Sequence, residues 1–276
     1  MLPWMVADTW SGKASGSGAS GTIDAVCFTE IKYNPSTNYR GTAVAAFGND
    51  DVDITNSTFD EIGRIGVLYF GTGISGSLFA DNTYTGKGTG DHLDYTLDIS
   101  AGAVVDVYRN TISGNMGTAS ADGSKSAGVL VSTFFASGTE ADIQNNFITG
   151  NTCGITVGVN SSETSSVEAH FNDLSGNTLY AISNTSASDT IAATCNWYGA
   201  TDSTVADMIN GLVTYEPFLN SGTDFDESTN GFSRQYLAAL TTTPPVVADI
   251  VGSQCSNVST LVRSRFCRII HSLALW

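Results

Sequence analysis

Side chains that can exchange protons or bind cations gather in three separate segments of this sequence. The segments are 60–64, 86–94 and 116–126, and each also contains glycine. The eight candidates are Glu61, Arg64, Lys87, Asp91, His92, Asp94, Asp122 and Lys125. Segments rich in Gly, Ser, Asp and Lys are also typical of solvent-exposed loops, so a purely structural interpretation stands beside the chemical one.

Two kinds of chemistry fit these residue types. Paired carboxylates would serve as acid and base in the hydrolysis of a glycosidic bond. Alternatively, Asp91 and Asp94 would hold Ca²⁺, while Lys87 or Lys125 abstracts a proton from the substrate. Both schemes require the three segments to meet in space, so the fold that positions them decides the question.

A recurring phrase predicts how the segments come together. The phrase appears as DITNSTFDEI, LFADNTYTGK, DVYRNTISGN, DIQNNFITGN, EAHFNDLSGN and AATCNWYGAT. Aligning the copies on one polar position gives Ser57, Asn82, Asn110, Asn146, Asn172 and Asn196, at steps of 25, 28, 36, 26 and 24 residues. A period of this size is typical of a solenoid, in which each repeat forms one coil.

The residues before each polar position alternate in character, as a β-strand requires. Two inward columns are apolar or small: Val52, Ser77, Val105, Ala141, Val167 and Ile191, and then Ile54, Phe79, Val107, Ile143, Ala169 and Ala193. The outward column between them contains Asp53, Leu78, Asp106, Asp142, Glu168 and Ala192. Its acids would either bind divalent ions or prevent the flat sheet from pairing with another chain.

Each repeat contains a further short apolar run that predicts another strand. The runs are 41–47, 66–70, 93–99, 127–132, 154–159 and 179–183. Stacking such repeats in register would place each corner asparagine above the next, so that the amides hydrogen-bond along the axis. We therefore predict an all-β chain that forms a right-handed parallel β-helix of about six to seven coils over residues 23–219.

The two long steps in the repeat arise from extra residues after the same corner. The insertions are GKGTGDH (86–92) and MGTASADGSKS (116–126), and DEIGR (60–64) occupies the equivalent place one coil earlier. Stacking predicts that the three segments lie along one edge and form a cleft on a rigid scaffold.

The two ends of the chain depart from the repeat. We expect a flexible lead-in over 1–22, and a C-terminal cap over 201–219 with a short helix capped by Ser203. Residues 220–232 predict a linker rich in Gly, Ser and Asp. The remaining residues, 233–276, fit an amphipathic docking helix, a foreign extension or disorder, and the sequence does not separate these.

The charge balance restricts the partners. The formal net charge is −16, and the 11 Lys and Arg residues are scattered. A nucleic-acid partner is therefore not expected, whereas Ca²⁺ or a neutral or cationic partner is compatible. No apolar run reaches the ~20 residues of a membrane span, and no signal peptide is visible. The oligomeric state is not predicted.

The five cysteines have no metal-binding spacing. We expect Cys27, Cys153 and Cys195 to be buried free thiols within the stack, and Cys255 and Cys267 to be available for pairing with each other.

The NNxIxGN phrase, the closing NWYG (196–199) and the later VTYEPFL (213–219) resemble the pectate-lyase-like superfamily of β-helix proteins, particularly bacterial secreted and surface members. That superfamily includes polysaccharide lyases, glycoside hydrolases, carbohydrate esterases, phage tailspikes and adhesins. The RxPxxR motif of pectate lyases and the NTD and GHG motifs of polygalacturonases are missing. The resemblance thus implies a secreted or cell-surface domain that binds a polysaccharide, a cell-surface glycan or another surface ligand. The alternative is a polysaccharide lyase or glycoside hydrolase that uses the 60–64/86–94/116–126 edge.

Overall fold

The computed structural model describes residues 20–34, 39–48, 51–90, 92–120 and 122–234. Over these ranges the chain is nearly all β and winds into a parallel β-solenoid of about six turns. The fold class predicted from the repeat is therefore confirmed, while the right-handed sense of winding stays a prediction. No helix in these ranges is both long enough and apolar enough to cross a membrane.

The strands are short because each side of a coil holds only a few residues before it turns. The first eleven are β1 (Ser20–Asp24), β2 (Cys27–Thr29), β3 (Tyr33–Asn34), β4 (Tyr39–Arg40), β5 (Thr42–Phe47), β6 (Asp51–Thr55), β7 (Thr58–Asp60), β8 (Ile65–Phe70), β9 (Ser77–Ala80), β10 (Thr83–Gly88) and β11 (Tyr95–Ser100). The others are β12 (Val104–Tyr108), β13 (Thr111–Asn115), β14 (Ala127–Ser132), β15 (Glu140–Gln144), β16 (Phe147–Ile148), β17 (Cys153–Val157), β18 (Ser166–His170), β19 (Tyr180–Asn184), β20 (Ile191–Ala192), β21 (Ile209–Asn210) and β22 (Val213–Thr214).

Three stacked parallel sheets form the sides of the solenoid. The first sheet has the order β1-β6-β9-β12-β15-β18-β20-β22, the second β16-β13-β10-β7-β2, and the third β21-β19-β17-β14-β11-β8-β5. Each coil passes from the first sheet to the second and then to the third. We call the turns between them the first corner (first to second sheet), the second corner (second to third) and the third corner (third to the next first). A small antiparallel pair, β3 with β4, lies outside these sheets.

Register within the first sheet confirms the predicted alternation. Asp106 pairs with Asp142, and Asp142 pairs with Glu168, so the acids of successive coils form one outward file. Val105 and Val107, which flank Asp106, are fully buried in the interior. Because removing apolar side chains from water stabilises by about 25 cal/mol per Å², this continuous interior column is the main stabilising feature of the stack.

The first corner contains the predicted asparagine ladder. The side-chain Oδ1 of each asparagine accepts the backbone N–H of the preceding coil, at 2.9 Å for Asn82 to Asn110, 2.8 Å for Asn110 to Asn146, 2.9 Å for Asn146 to Asn172 and 2.8 Å for Asn172 to Asn196. All five asparagines are buried. The residue before each one has a left-handed backbone, which is unfavourable for a residue with a Cβ: Asp81, Arg109, Asn145, Phe171 and Cys195. The ladder bonds offset this local strain.

A short 3₁₀ helix, Ser203–Met208, lies at the last coil, with Val205 buried against the core. Its N-cap is Asp202, whose carboxylate accepts the Thr204 N–H at 3.0 Å. The prediction that Ser203 caps this helix is therefore wrong by one residue. Asp202 is the preferred N-cap because its carboxylate places a negative charge at the positive end of the helix.

Residues 219–234, which we call the C-terminal strap, run back along the first corner. Phe232 is fully buried; its N–H donates to the Asn145 carbonyl at 2.8 Å, and its ring lies 5.5 Å from that of Phe147. The Leu219 N–H donates to the Asn196 carbonyl at 2.9 Å, and the Asn230 amide donates to the Asp81 carbonyl at 2.7 Å, so the strap spans five coils. Sequence alone predicts a linker over most of this segment. Of the lead-in expected over 1–22, residues 20–22 instead belong to β1, which pairs with β6. Residues 1–19 and the tail from residue 235 lie outside the described residues.

The cysteines differ from expectation in two places. Cys153 is free and buried, as predicted, whereas Cys27 is free but exposed. Cys195 is buried but forms a disulfide bond, so the prediction of a free thiol there is wrong. Its partner lies outside the described residues, and so does the predicted pairing of Cys255 with Cys267.

Candidate functional site

A second asparagine ladder lies at the start of the second corner. The Asn115 N–H donates to Asn151 Oδ1 at 3.1 Å, and the Asn151 N–H donates to Asn177 Oδ1 at 3.0 Å. Sequence reasoning did not single out these residues. The signal was nevertheless present, because each one follows a first-corner asparagine by five positions in the phrases ISGN, ITGN and LSGN.

Lys87 interrupts this ladder. It follows Asn82 by five positions, where the next coil has Asn115. The strand register shifts between Thr85 and Gly88, so that Gly88 rather than Lys87 pairs with Asn115. A bulge of this kind redirects a side chain and is common beside functional sites.

The Lys87 side chain is 19 % exposed, and its Nζ lies 3.7 Å from Oδ2 of Asp94, whose side chain is fully buried. This separation is beyond hydrogen-bond distance, so the contact is an ion pair. Lys87 Nζ also donates to the Gly63 carbonyl, and the Tyr84 hydroxyl donates to Asp94 Oδ1 at 3.0 Å. Two of the predicted segments, 60–64 and 86–94, therefore meet at this pair.

Burial shifts both members of the pair toward their neutral forms. It raises the pKa of Asp94 to about 6, although Lys87 and the Tyr84 hydroxyl act in the opposite direction. Burial likewise lowers the pKa of Lys87, against the attraction of the Asp94 carboxylate. A carboxyl that titrates near neutrality beside an amine of reduced basicity has the properties required for acid–base catalysis.

Two buried acceptor atoms at this corner have no hydrogen-bond partner among the described residues: Asp94 Oδ2 and Asn115 Oδ1. The Asn115 amide nitrogen is used, since it donates to Thr96 Oγ1 at 3.0 Å and to Asn151 Oδ1 at 2.8 Å. Because both unpaired atoms are acceptors, the corner lacks a donor, and such groups are costly to bury.

Further out, His92 and Arg64 flank a residue that sequence analysis missed. The Tyr33 ring lies 4.8 Å from the exposed His92 ring, edge to face, and the Arg64 guanidinium carbon lies 5.7 Å from the Tyr33 centroid. Tyr33 belongs to the β3–β4 pair, outside the repeat, so the periodic pattern gave no indication of it.

The 116–126 segment packs on the 86–94 segment through its backbone. The Thr118 N–H donates to the Gly90 carbonyl at 2.9 Å, and any Cβ on Gly117 would collide with the His92 carbonyl. The predicted convergence of the three segments on one edge is therefore confirmed for their backbones.

The remaining candidate side chains do not join the Lys87–Asp94 pair in any contact that the described residues show. Asp122 is exposed, and hydrogen bonds from Ser124 lower its pKa. Lys125 is also exposed and contributes a backbone carbonyl, which accepts the Tyr95 hydroxyl at 3.4 Å. Glu61 is exposed and acts on Lys87 only through its charge.

The calcium prediction rests on Asp91 and Asp94. Asp91 lies outside the described residues, so this site stays a prediction. Within the described part of the chain, no group of three or more His, Cys, Asp or Glu side chains is arranged to hold a metal ion.

The third corner has a different surface, formed by four phenylalanine rings that we call the aromatic row: Phe47, Phe70, Phe134 and Phe135. Centroid distances are 5.6 Å for Phe47–Phe70, 5.2 Å for Phe70–Phe135 and 5.0 Å for Phe134–Phe135. Phe47, Phe134 and Phe135 are 41 %, 58 % and 67 % exposed. Exposed rings that contact one another across coils form a platform. Sequence analysis did not locate it because only Phe47 and Phe70 share a repeat position, whereas Phe134 and Phe135 lie in the loop after β14.

The chain matches no protein-family model, no curated protein and no solved structure.

Proposed function

We propose that this chain is an extracellular or cell-surface β-helix domain that binds carbohydrate without altering it. The observation that carries the proposal is the aromatic row at the third corner. Exposing three phenylalanines together is unfavourable in water, and contiguous exposed apolar surface is typical of a binding site. Aromatic faces also stack on the C–H faces of sugar rings, which gives the ring type a specific use here.

The loop that presents Phe134 and Phe135 is held in place by hydrogen bonds. The backbone N–H and the hydroxyl of Thr133 donate to Glu163 Oε1 at 2.8 and 2.6 Å, and the Phe134 N–H donates to Ser132 Oγ at 3.0 Å. Burial alone would raise the pKa of Glu163, but hydrogen bonds from Ser165 and Thr133 outweigh it and lower the pKa. The anchor therefore stays ionised at neutral pH, and a preorganised loop loses less entropy on binding.

Two features support the proposed location. The disulfide bond at Cys195 suits an oxidising compartment, because cytosolic thiols are kept reduced. The solenoid fold also agrees with the resemblance to secreted and surface proteins of the pectate-lyase-like superfamily, and membership in that superfamily is part of the proposal.

The direct test is a binding screen with the purified chain. We expect retention on at least one neutral or acidic polysaccharide, with and without Ca²⁺, and no new reducing ends or unsaturated products after prolonged incubation. Failure to bind any glycan in a broad array would contradict carbohydrate binding, whereas product formation would replace binding with catalysis.

The Lys87–Asp94 pair favours a second candidate function, a polysaccharide lyase or glycoside hydrolase acting at the second corner. The specific observation is that Lys87 follows Asn82 by the ladder spacing but forms an ion pair with the buried Asp94, while the neighbouring Asn115 Oδ1 has no hydrogen-bond partner among the described residues. Such a departure from local consistency is expected at a functional site. In a lyase Lys87 would take the substrate proton, and in a hydrolase protonated Asp94 would donate one.

This alternative predicts that Asp94→Asn and Lys87→Met each reduce product formation by at least about 100-fold, the usual contribution of a general acid or base. The matched control is Asp122→Asn, an exposed carboxylate on the same edge that lacks contact with the pair. Product formation that survives both changes would remove Lys87 and Asp94 from the chemistry.

A further inference from the structure

We propose that the aromatic row binds an uncharged glycan and excludes acidic polysaccharides; this inference rests on the carbohydrate-binding function proposed above. It names the class of ligand and its position on the solenoid. Four features of the third corner carry it: the absence of cationic side chains, the direction of the row, the neighbouring hydroxyls and the limited area.

The third corner contains no Lys or Arg over four successive coils. The segments that form it, each with the first residue of the strand that follows, are 45–51, 68–77, 100–104 and 132–140, and their only charged residues are the acids Asp50, Asp51 and Glu140. The Asp51 carboxylate accepts the Ser75 N–H at 2.7 Å and the Ser75 hydroxyl at 3.1 Å. Glu163 is buried beneath the loop, where it accepts hydrogen bonds from Thr133. A polyuronate would find no cation here and would be repelled by the rest of the molecule.

The aromatic row follows the solenoid axis. Phe47 pairs directly with Phe70 on the adjacent coil, while Phe134 and Phe135 follow β14, two coils further on. With strands about 4.8 Å apart, the coils that carry the first and the last rings are three intervals apart along the axis. The rings themselves follow one another at centroid distances of 5.0 to 5.6 Å. An extended polymer lying along the axis would therefore meet successive rings, whereas one lying across it would meet only one coil.

Small and hydroxylic residues complete the surface. Gly102 lies between the loops, and any Cβ there would meet Thr72 and the Ser137 carbonyl. Thr72 and Ser137 are both exposed beside the rings. Hydroxyls next to an apolar platform match a neutral sugar, which combines C–H faces with hydroxyl donors and acceptors.

The other occupants of an apolar patch fit less well. A stable protein interface needs about 20–30 residues a side, and four rings with their neighbours do not reach that number. A strongly anionic chain is also repelled by the negative surface of a cell membrane. An uncharged ligand of small contact area remains the best fit to both the charge and the size of the patch.

The experiment is affinity electrophoresis and calorimetry with soluble β-glucan, galactomannan and dextran as uncharged probes and polygalacturonate as the acidic probe. We expect one or more uncharged probes to bind, with a dissociation constant that changes less than twofold between low salt and about 1 M salt, where the Debye length falls to about 3 Å. Polygalacturonate should bind at least tenfold more weakly.

The variants are Phe134→Ala and Phe135→Ala, with Phe225→Ala as the matched control, because Phe225 is 53 % exposed but lies on the C-terminal strap. Each row variant should weaken binding of the uncharged probe at least tenfold without moving the thermal midpoint, and the control should bind like the wild type.

The outcomes separate this inference from the broader proposal. Preferred binding of polygalacturonate, or uncharged binding that survives both row variants, overturns the inference and leaves carbohydrate binding in place. Absence of binding to every glycan overturns both. If the row variants instead abolish self-association in light scattering, or binding to vesicles of zwitterionic phospholipid, the row is a contact for a second copy or for a lipid surface, and the inference is wrong.

Discussion

The first and second corners of the solenoid both contain an asparagine ladder, but the ladder at the second corner is shorter. At the first corner the asparagine ladder runs without interruption from Asn82 to Asn196. At the second corner it links Asn115, Asn151 and Asn177 and stops at Lys87. Where the ladder is complete, the corner only holds the coils in register. Where it stops, an ion pair and unpaired acceptors are found in the interior.

This difference shows how a repeat protein can acquire a reactive site. A fully connected polar network is stable in a low-dielectric interior because every donor and acceptor is used. Replacing one asparagine by lysine, with a bulge beside it, leaves the next coil's acceptor unpaired and admits a buried carboxylate. The substitution lowers the stability of this corner, and it places Lys87 and Asp94 where burial shifts their pKa values.

The largest expected effect is at the complete ladder. Asn146→Ala removes an acceptor used by Asn110 and a donor to the carbonyl of Val107, all in the buried interior. Because each buried group left unpaired costs about 1–3 kcal/mol, we expect the free energy of unfolding to fall by about 4 kcal/mol. Chemical denaturation followed by circular dichroism measures this.

The matched comparison is Asn177→Ala, at the half-buried end of the second ladder. It should cost about 1–2 kcal/mol, since water can replace the lost partners. If Asn146→Ala and Asn177→Ala lower the free energy of unfolding equally, the two ladders stabilise the fold equally and the proposed difference between the corners is wrong.

The second-largest expected effect is a dependence of the free energy of unfolding on pH, which arises from Asp94 beside the interrupted ladder. The pKa of Asp94 is about 6 in the folded chain, against an ordinary value of about 3.9 when unfolded. Because the folded pKa is raised, the folded state is favoured most below about pH 4, and this contribution is lost as the pH rises through 6. About two pKa units correspond to about 3 kcal/mol.

Denaturation curves between pH 4 and 7 for the wild type and Asp94→Asn test this dependence. The wild type should lose stability relative to Asp94→Asn across that window. It should not lose stability relative to the control Asp122→Asn, which keeps Asp94 and changes an exposed carboxyl whose pKa is lowered. A constant difference between wild type and Asp94→Asn would mean that Asp94 stays ionised in the folded chain.

A smaller effect follows from completing the second ladder. Lys87→Asn would supply an amide donor near Asn115 Oδ1 and remove the buried ammonium. We expect the free energy of unfolding at pH 5, where Asp94 is mostly protonated, to rise by about 1 kcal/mol, the net value of one hydrogen bond. Lys87→Ala, which removes the charge without adding the donor, is the control. If the two variants are equally stable, the bulge at residues 85–88 prevents the ladder from extending.

The first corner was predictable from sequence because its asparagines recur with an unbroken inward pattern before them. The asparagines of the second ladder recur at the same spacing as those of the first. They are harder to recognise in the sequence, because the first two coils have Ile62 and Lys87 instead of asparagine at this position. Convergence of the three inserted segments followed from stacking alone. Which of their side chains meet did not, because a bulge turned Lys87 inward toward Asp94 while Lys125 and Asp122 stayed in solvent.

Features outside the repeat could not be predicted in the same way. The C-terminal strap packs through Phe232 and Asn230, which lie 87 and 149 residues along the sequence from their partners Asn145 and Asp81. Tyr33 and the aromatic row likewise depend on where loops fold back. No local propensity encodes such contacts, because they are selected by packing on a scaffold that has already formed.

The smallest expected effect is at the third corner, which has neither ladder. Phe135→Ala removes a ring that is 67 % exposed, so the folded state loses little buried area. We expect the free energy of unfolding to change by less than about 0.5 kcal/mol, the usual range for surface substitutions. Compared with Asn146→Ala, this variant shows that the first corner stabilises the fold, whereas the third corner contributes little to stability and is available for ligand binding. A loss of more than about 2 kcal/mol, as for a core phenylalanine, would mean that the row packs as part of the core and is not a platform.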